Sequence, residues 1–186
     1  ELGVTANSNG PATESDIADQ VNMLDAAIEA APNGIGLAAC DTTSVLASLQ
    51  TALDKGIPVV CFDTGVPEAP EGSVYATVAT DNLAAGACAA ENMYPIIKDK
   101  VAAATADAKV RIGEVNQDAT AQNTQDRGLG FINKMIELIT ADGKTVAVVG
   151  NEFYVNACTA AGDEATAEVI IEVGVPSQTT VAESTI

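Results

Sequence analysis

Two short apolar runs without polar alternation constrain this chain more than any other feature: Ile35-Gly36-Leu37-Ala38-Ala39-Cys40 and Ile57-Pro58-Val59-Val60-Cys61-Phe62. A strand with one wet face alternates polar and apolar residues, whereas an unbroken apolar run suits a parallel strand covered on both faces. Parallel neighbours need a long crossover, usually a helix. The segment between the runs supplies one, with Val45, Leu49 and Leu53 at helical spacing, Asp41-Thr42-Thr43 as its cap and Gly56 as its stop. An earlier helix carries Ile17, Val21, Leu24 and Ile28 on one face and ends at Pro32-Asn33-Gly34.

The same alternation continues. Residues 74–79 read as a strand after an irregular Pro/Gly loop, and Asp81 caps a helix to about Lys100, which Pro95 should kink or break. Residues 110–115 form a strand, followed by a helix with Phe131, Met135 and Leu138 on one face. Residues 145–149 and 169–175 are further strands, with a small, acidic surface excursion at 159–168. The expected class is α/β, with parallel sheets flanked by helices. Glu1-Leu2-Gly3-Val4 reads as a helix end entering a strand, and residues 180–186 as the start of a helix, so the array is expected to be incomplete at both ends. Such a cut would leave sheet edges unpaired.

Composition narrows function. Of 186 residues, 26 are Asp or Glu against 8 Lys or Arg, a net charge of −18. That charge excludes wrapping nucleic acid and disfavours anionic membranes. The absence of His removes His-ligated metals and Ser-His-Asp triads. Hydrophobic residues make up 47%, so the chain folds. No apolar run of about 18 residues marks a membrane span, and the first residues are no signal peptide, giving no direct sign of export. Cys40, Cys61, Cys88 and Cys158 lack C-x-x-C spacing and read as small buried hydrophobes. No dinucleotide fingerprint or phosphate loop follows a strand, so no cofactor and no metal is expected.

Open α/β sheets bind ligands beyond the carboxyl ends of their strands. Those ends carry Asp41, Asp63-Thr64, Asn116-Gln117-Asp118 and Ser177-Gln178-Thr179, while Asn123 and Gln125 lie near the start of the following helix. Carboxylates accept hydroxyl hydrogen bonds and amides both donate and accept, a set suited to a neutral polyol. Asp41 and Asp118 also read simply as caps. Asp63 faces a Pro/Gly loop, so a turn role stands beside a ligand role. Arg127 is expected to pair with a neighbouring acid and brace its helix.

Three segments together, Ile57-Pro58-Val59-Val60-Cys61-Phe62-Asp63, then Tyr75-Ala76-Thr77-Val78-Ala79-Thr80-Asp81-Asn82, then Arg127-Gly128-Leu129-Gly130-Phe131, resemble the periplasmic sugar-binding proteins of ABC importers, most nearly the ribose-binding type. The resemblance implies a two-lobed fold that closes on its ligand, with residues 1–80 as a partial lobe one and 81–186 as a partial lobe two. It implies a monomeric, extracytoplasmic solute-binding subunit, in the periplasm or as a cell-surface lipoprotein. Such a subunit is no enzyme and uses no cofactor; it delivers a sugar or small polyol to the importer's membrane subunits. The family's first strand and helix and their stacking aromatics would precede this chain, and residues 140–166 look like an insertion. The family's ligand aspartate matches Asp63. Thr64 stands where the family often has Arg, Ala38-Ala39 where it has an amide, and Gln125 where it has a second Arg. These departures weigh against ribose itself and leave a small polar ligand. The ligand set read from this sequence is Asp63, Thr64, Asp41, Asn116, Asn123, Gln125 and Gln178.

Two other functions fit parts of the pattern. One is the inducer-binding domain of a LacI-like repressor. The other is a cofactor-independent amino acid racemase, for which Cys40 and Cys158 would be paired thiols of tuned pKa.

Overall fold

A computed structural model of the chain describes residues 3–159 and 162–176. The chain divides into two compact units that part between Ala79 and Thr80. The first holds α1 (Ile17–Glu29), β1 (Ile35–Leu37), α2 (Leu46–Asp54), β2 (Val59–Phe62) and β3 (Val74–Val78). Its strands form one parallel sheet in the order β1-β2-β3. Leu24 and Ile28 of α1 and Leu49 and Ala52 of α2 share a core with Val45, Leu37, Val59 and Cys61.

The expectation of strands covered on both faces fails in this unit. β2 alternates buried and exposed residues, and Val60, Phe62 and Val78 are 40%, 52% and 68% exposed. Apolar composition reports that a strand suits a sheet; it does not report which faces find cover. The connection from β2 to β3 also departs from the helical crossover. Its Pro/Gly loop buries Val66 into the core and closes with Ser73 Oγ donating to the Pro70 carbonyl at 2.7 Å.

β1 is shorter than its apolar run because side chains replace its ladder. Gln20 of α1 donates through Nε2 to the Ala38 carbonyl and accepts the Cys40 N–H at Oε1, both at 2.8 Å. The Ala39 carbonyl takes the Thr64 hydroxyl at 2.8 Å. Buried backbone groups require partners, and here three successive residues receive them from α1 and from the end of β2.

The second unit holds α3 (Asn82–Ala103), β4 (Val110–Val115), α4 (Gln122–Ala141), β5 (Val146–Gly150), α5 (Glu152–Ala157) and β6 (Val169–Gly174). Its parallel sheet has the order β4-β6-β5. Central β6 is buried at Val169, Ile170, Ile171 and Val173, as an unbroken apolar run requires. The segment after residue 161 is more than a surface excursion: Ala167 packs with Ala147 and Ile170 in a small second core. The short α5 lies in a stretch where no helix was expected.

Asp81 caps α3 by accepting the Ala84 N–H at 3.0 Å. The expected break at Pro95 does not occur, and α3 runs through it to Ala103. Burial of Ala90, Tyr94 and Val101 on either side outweighs the single lost backbone bond. The buried stripe of α4 is Ile132, Met135, Ile136 and Ile139; Phe131 and Leu138 sit half-buried at its margin. The stripe is displaced because another face of α4 is committed to α3. A Cβ on Gly86 would stand 2.0 Å from the Arg127 carbonyl oxygen, and one on Gly130 would stand 2.2 Å from that of Leu83. The helices therefore touch backbone to backbone. The acid pairing expected of Arg127 is not among the ion pairs of the described residues; its guanidinium donates instead to the Asn82 side-chain oxygen of α3.

Gly86→Ala should destabilise the protein by about 1–3 kcal/mol through overpacking. In an open helix the same change would add about 0.5–1 kcal/mol. Gly113→Ala, where a Cβ meets nothing within 4 Å, should stay within about 0.5 kcal/mol of wild type. Urea unfolding of both variants checks this.

Candidate functional site

Each sheet presents polar groups at the carboxyl ends of its strands, and the two rims are built differently. In the first unit Asp63 follows β2 directly. Its backbone is left-handed, with φ 60°, while its N–H donates to the Val78 carbonyl at 2.9 Å. A positive φ costs a side-chain-bearing residue energy, least for Asp and Asn. The bend ends β2 and leaves Asp63 exposed at the strand end. Thr64, next in sequence, is 5% exposed and spends its hydroxyl proton on Ala39. Asp41 Oδ1 accepts from the Thr43 and Ser44 N–H groups at 2.9 and 2.6 Å and from both their hydroxyls. Burial alone would raise its pKa, but the bonds from Ser44 and Thr43 prevail and hold it below the usual carboxylate value. It caps a turn ahead of α2, whose own first residue lies beyond, at Leu46.

In the second unit the rim follows β4. Asn116 is 9% exposed. Its Nδ2 donates to Glu114 Oε2 at 2.8 Å, and a Cβ on Gly128 would stand 2.4 Å from that nitrogen. A glycine in α4 thus makes room for this carboxamide. Asp118 repeats the turn of Asp41, with Oδ1 accepting from the Thr120 and Ala121 N–H groups and the Thr124 hydroxyl. Fully buried Tyr154 reaches under this turn, its hydroxyl 3.0 Å from the Asp118 carbonyl and 3.2 Å from that of Thr124. Gln125 Nε2 donates to the Ala119 carbonyl at 2.8 Å, and Asn123 Oδ1 accepts the Thr124 N–H at 2.8 Å. Asn116, Asn123 and Gln125 are therefore gathered around one loop, while Gln178 lies outside the described residues. Gln20, Glu114 and Tyr154 shape the rims unannounced by the sequence. Glu114 alone gave a signal, as an acid within a strand.

Burial pushes the Glu114 carboxyl up to about 7, against the opposing hydrogen bond from Asn116. Tyr154 is also raised, by burial first and then by Glu114, Asp118 and Asp126. Cys61 is buried, Cys40 and Cys158 are half-buried and Cys88 is exposed, so Cys88 is not the buried hydrophobe expected. Burial raises the Cys158 thiol, opposite to the activation a racemase needs. Among the described residues no cluster of metal-ligating side chains occurs, and no helix is long and apolar enough to cross a membrane.

A family model described as a periplasmic binding protein domain matches residues 1–182. The chain belongs to this family. A periplasmic binding protein domain is a binding module, and solved structures of its kind are numerous. An ABC transporter, LacI family transcriptional regulator from Brachyspira murdochii is 33% identical, with a TM-score of 0.69 over 97% of this chain and 50% of its own. An ABC transporter solute-binding protein from Agrobacterium vitis, with bound D-fucose, is 26% identical, with a TM-score of 0.60 over 78% of this chain and 56% of its own. A sugar-binding protein of a sugar ABC transporter from Bacillus halodurans is 27% identical, with a TM-score of 0.58 over 93% of this chain and 46% of its own. The chain thus spans about half the length of these proteins. No curated protein matches it.

The Glu114 shift has a consequence for this domain's stability. The folded pKa of about 7 lies above the ordinary 4.5, so between these values the folded state binds more protons. Stability then falls as pH rises through this window. Glu114→Gln should leave stability at pH 5 nearly unchanged and raise it at pH 8 by about 1–3 kcal/mol. Denaturant melts at the two pH values measure the difference.

Proposed function

We propose that this chain is the ligand-binding part of a solute-binding subunit of an ABC importer, taking a neutral monosaccharide or similar polyol. In this reading residues 1–80 belong to lobe one and 81–186 to lobe two. Asp63, Asn116, Asn123 and Gln125 offer the polar contacts, with Asp41 and Thr64 bracing the first rim and Gln178 a further contact. The subunit works outside the cytoplasm as a monomer, binds no nucleic acid, leaves its ligand chemically unchanged and docks on the importer's membrane subunits.

The observation that carries the reading is Asp63, a carboxylate on a left-handed bend at the end of a parallel strand. Strand ends of this kind are where such sheets bind ligands, and residues in sparsely populated backbone regions concentrate at such sites. The amides at the end of β4 match hydroxyls, which also donate and accept. The basic residues support a neutral ligand. Lys55, Lys98, Arg111, Lys134 and Lys144 pair with carboxylates. Lys109 donates to the Ala165 and Ala167 carbonyls, and Arg127 donates to Asn82. The remaining one, Lys100, is in the last turn of α3. The bound D-fucose of the Agrobacterium vitis relative supports a sugar.

The likeness to the LacI family regulator from Brachyspira murdochii keeps a second reading in view, an inducer-binding domain of a LacI-type regulator. The net charge of −18 opposes a DNA-facing role.

Calorimetry of the protein with D-fucose and a panel of aldopentoses and hexoses tests the reading. Asp63→Asn should weaken the bound sugar by about 10- to 100-fold, since a charge-assisted hydrogen bond is worth about 1.5–3 kcal/mol. Asp41→Asn should change affinity by less than about 3-fold, because an amide oxygen caps the same turn. Equal affinity of wild type and Asp63→Asn would make Asp63 a turn residue only.

A further inference from the structure

Behind the second rim stands a carboxylate that is not itself at the strand end. Glu114 lies on the core-facing side of β4, in step with Val110 and Ile112. It is half-buried, and no ion pair reaches it among the described residues. Its Oε2 holds Asn116 Nδ2 at 2.8 Å, and that carboxamide is wedged against α4 at Gly128. The carboxamide is thus gripped from two sides, and Glu114 decides its orientation. An ionised carboxylate only accepts, so it must face the amide nitrogen. A neutral carboxyl group donates as well, and its O–H can hold the amide oxygen instead.

We infer that Glu114 is a positioning residue for the ligand rim, setting which end of the Asn116 carboxamide is offered to a bound polyol, and that protonation of Glu114 reverses the choice. With Glu114 ionised, Asn116 keeps its oxygen for a ligand hydroxyl; with Glu114 neutral, it offers the amine. The inference rests on Asn116 being part of the ligand rim. It gives the subunit a pH-sensitive affinity around neutrality, where burial has placed this carboxyl. The other titratable groups of the region are Tyr154 on α5, Asp118 in the loop and Asp126 on α4. Lys134 is occupied by Glu91 and Glu137, and Arg127 by Asn82. The Asp118 and Asp126 carboxylates can only add to the cost of ionising Glu114, and among the described residues no cation pairs with it.

The test follows the Asn116 side-chain amide by NMR from pH 5 to 9, its signal assigned by its loss in Asn116→Ser. In wild type it should shift in one step near neutral pH. In Glu114→Gln, which has no proton to lose in this range, the step should vanish. An amide that does not move, or that moves equally in Glu114→Gln, overturns the inference. D-fucose calorimetry then reads the coupling. One lost hydrogen bond is worth about 5-fold in affinity, so wild type should bind about 5-fold more weakly at pH 5.5 than at pH 8.5. Glu114→Gln should bind equally at the two pH values, to within about 2-fold. Glu114→Leu should be weak at both pH values, and rescue by Gln but not Leu excludes a mere packing role. A pH-independent wild-type affinity overturns the inference and leaves the sugar reading standing. Failure of every sugar in the panel at every pH overturns the sugar reading, and the amide titration still decides what Glu114 does.

Discussion

A parallel strand has to stop, and the backbone groups past its last ladder bond need partners. Both rims of this protein are answers to that demand. After β1 the answer is Gln20 bonded to Ala38 and Cys40, with Thr64 bonded to Ala39. After β4 it is Asp118 under the Thr120 and Ala121 amides, with Tyr154 under the Asp118 carbonyl. Each partner is a side chain, and each fixes a loop that would otherwise be free. Since an unpaired buried backbone group costs about 1–3 kcal/mol, these few bonds do more to define the rims than the apolar contacts beneath them. A ligand site built on such loops inherits their rigidity and needs no large reordering to receive hydroxyl groups.

The second unit adds a constraint of its own. Its two long helices meet backbone to backbone at Gly86 and Gly130, and Arg127 bridges from α4 to Asn82 at the start of α3. Gly128, between that arginine and the second crossing glycine, makes room for Asn116 and the Tyr154 ring edge. Alternate glycines of one helical turn thus serve two neighbours, α3 on one side and the β4 rim on the other. The segment Arg127-Gly128-Leu129-Gly130-Phe131 acts as a spacer that sets how deeply the carboxamide sits. A larger residue at Gly128 would press on both the Asn116 carboxamide and the buried Tyr154 ring.

Much of this fold was legible in the sequence, for an identifiable reason. Strand β4 occupies Val110–Val115 as read, because the stretch between Lys109 and Asn116, with β-branched Val110, Ile112 and Val115, is too short for a helix. Helix α1 is legible from Ile17, Val21, Leu24 and Ile28, since one amphipathic period suffices. What escaped reading is long-range. The Gln20 bonds join residues 18 and 20 positions apart, and nothing local distinguishes that glutamine from a solvated one. The α4 stripe is displaced because Gly130 and the Arg127 carbonyl lie on the face that meets α3, a contact nothing local announces. The one-sided burial of β2 was missed because Val60 and Phe62 are as apolar as their buried neighbours. Of the candidate site, positions at strand ends were legible and their supports were not. Asp63 could be found from its place after β2, but its left-handed backbone could not.

The charge of the chain ties these features to a type of ligand. With 26 acidic residues against 8 basic ones, an anion approaching the protein meets a repulsive field that salt weakens beyond about 10 Å. Arginine is the usual means of holding a carboxylate or phosphate in two places. Arg111 is committed to Glu164 and Glu172, and Arg127 to Asn82. A cation would be attracted, yet the described acids form no ligating cluster, and the strongest acceptors, Asp41 and Asp118, already point their oxygens at backbone amides. Besides these, the strand ends carry one carboxylate on a bend and several amides. On the proposed reading, a neutral ligand that both donates and accepts at many points suits such rims without bringing a second charge to balance.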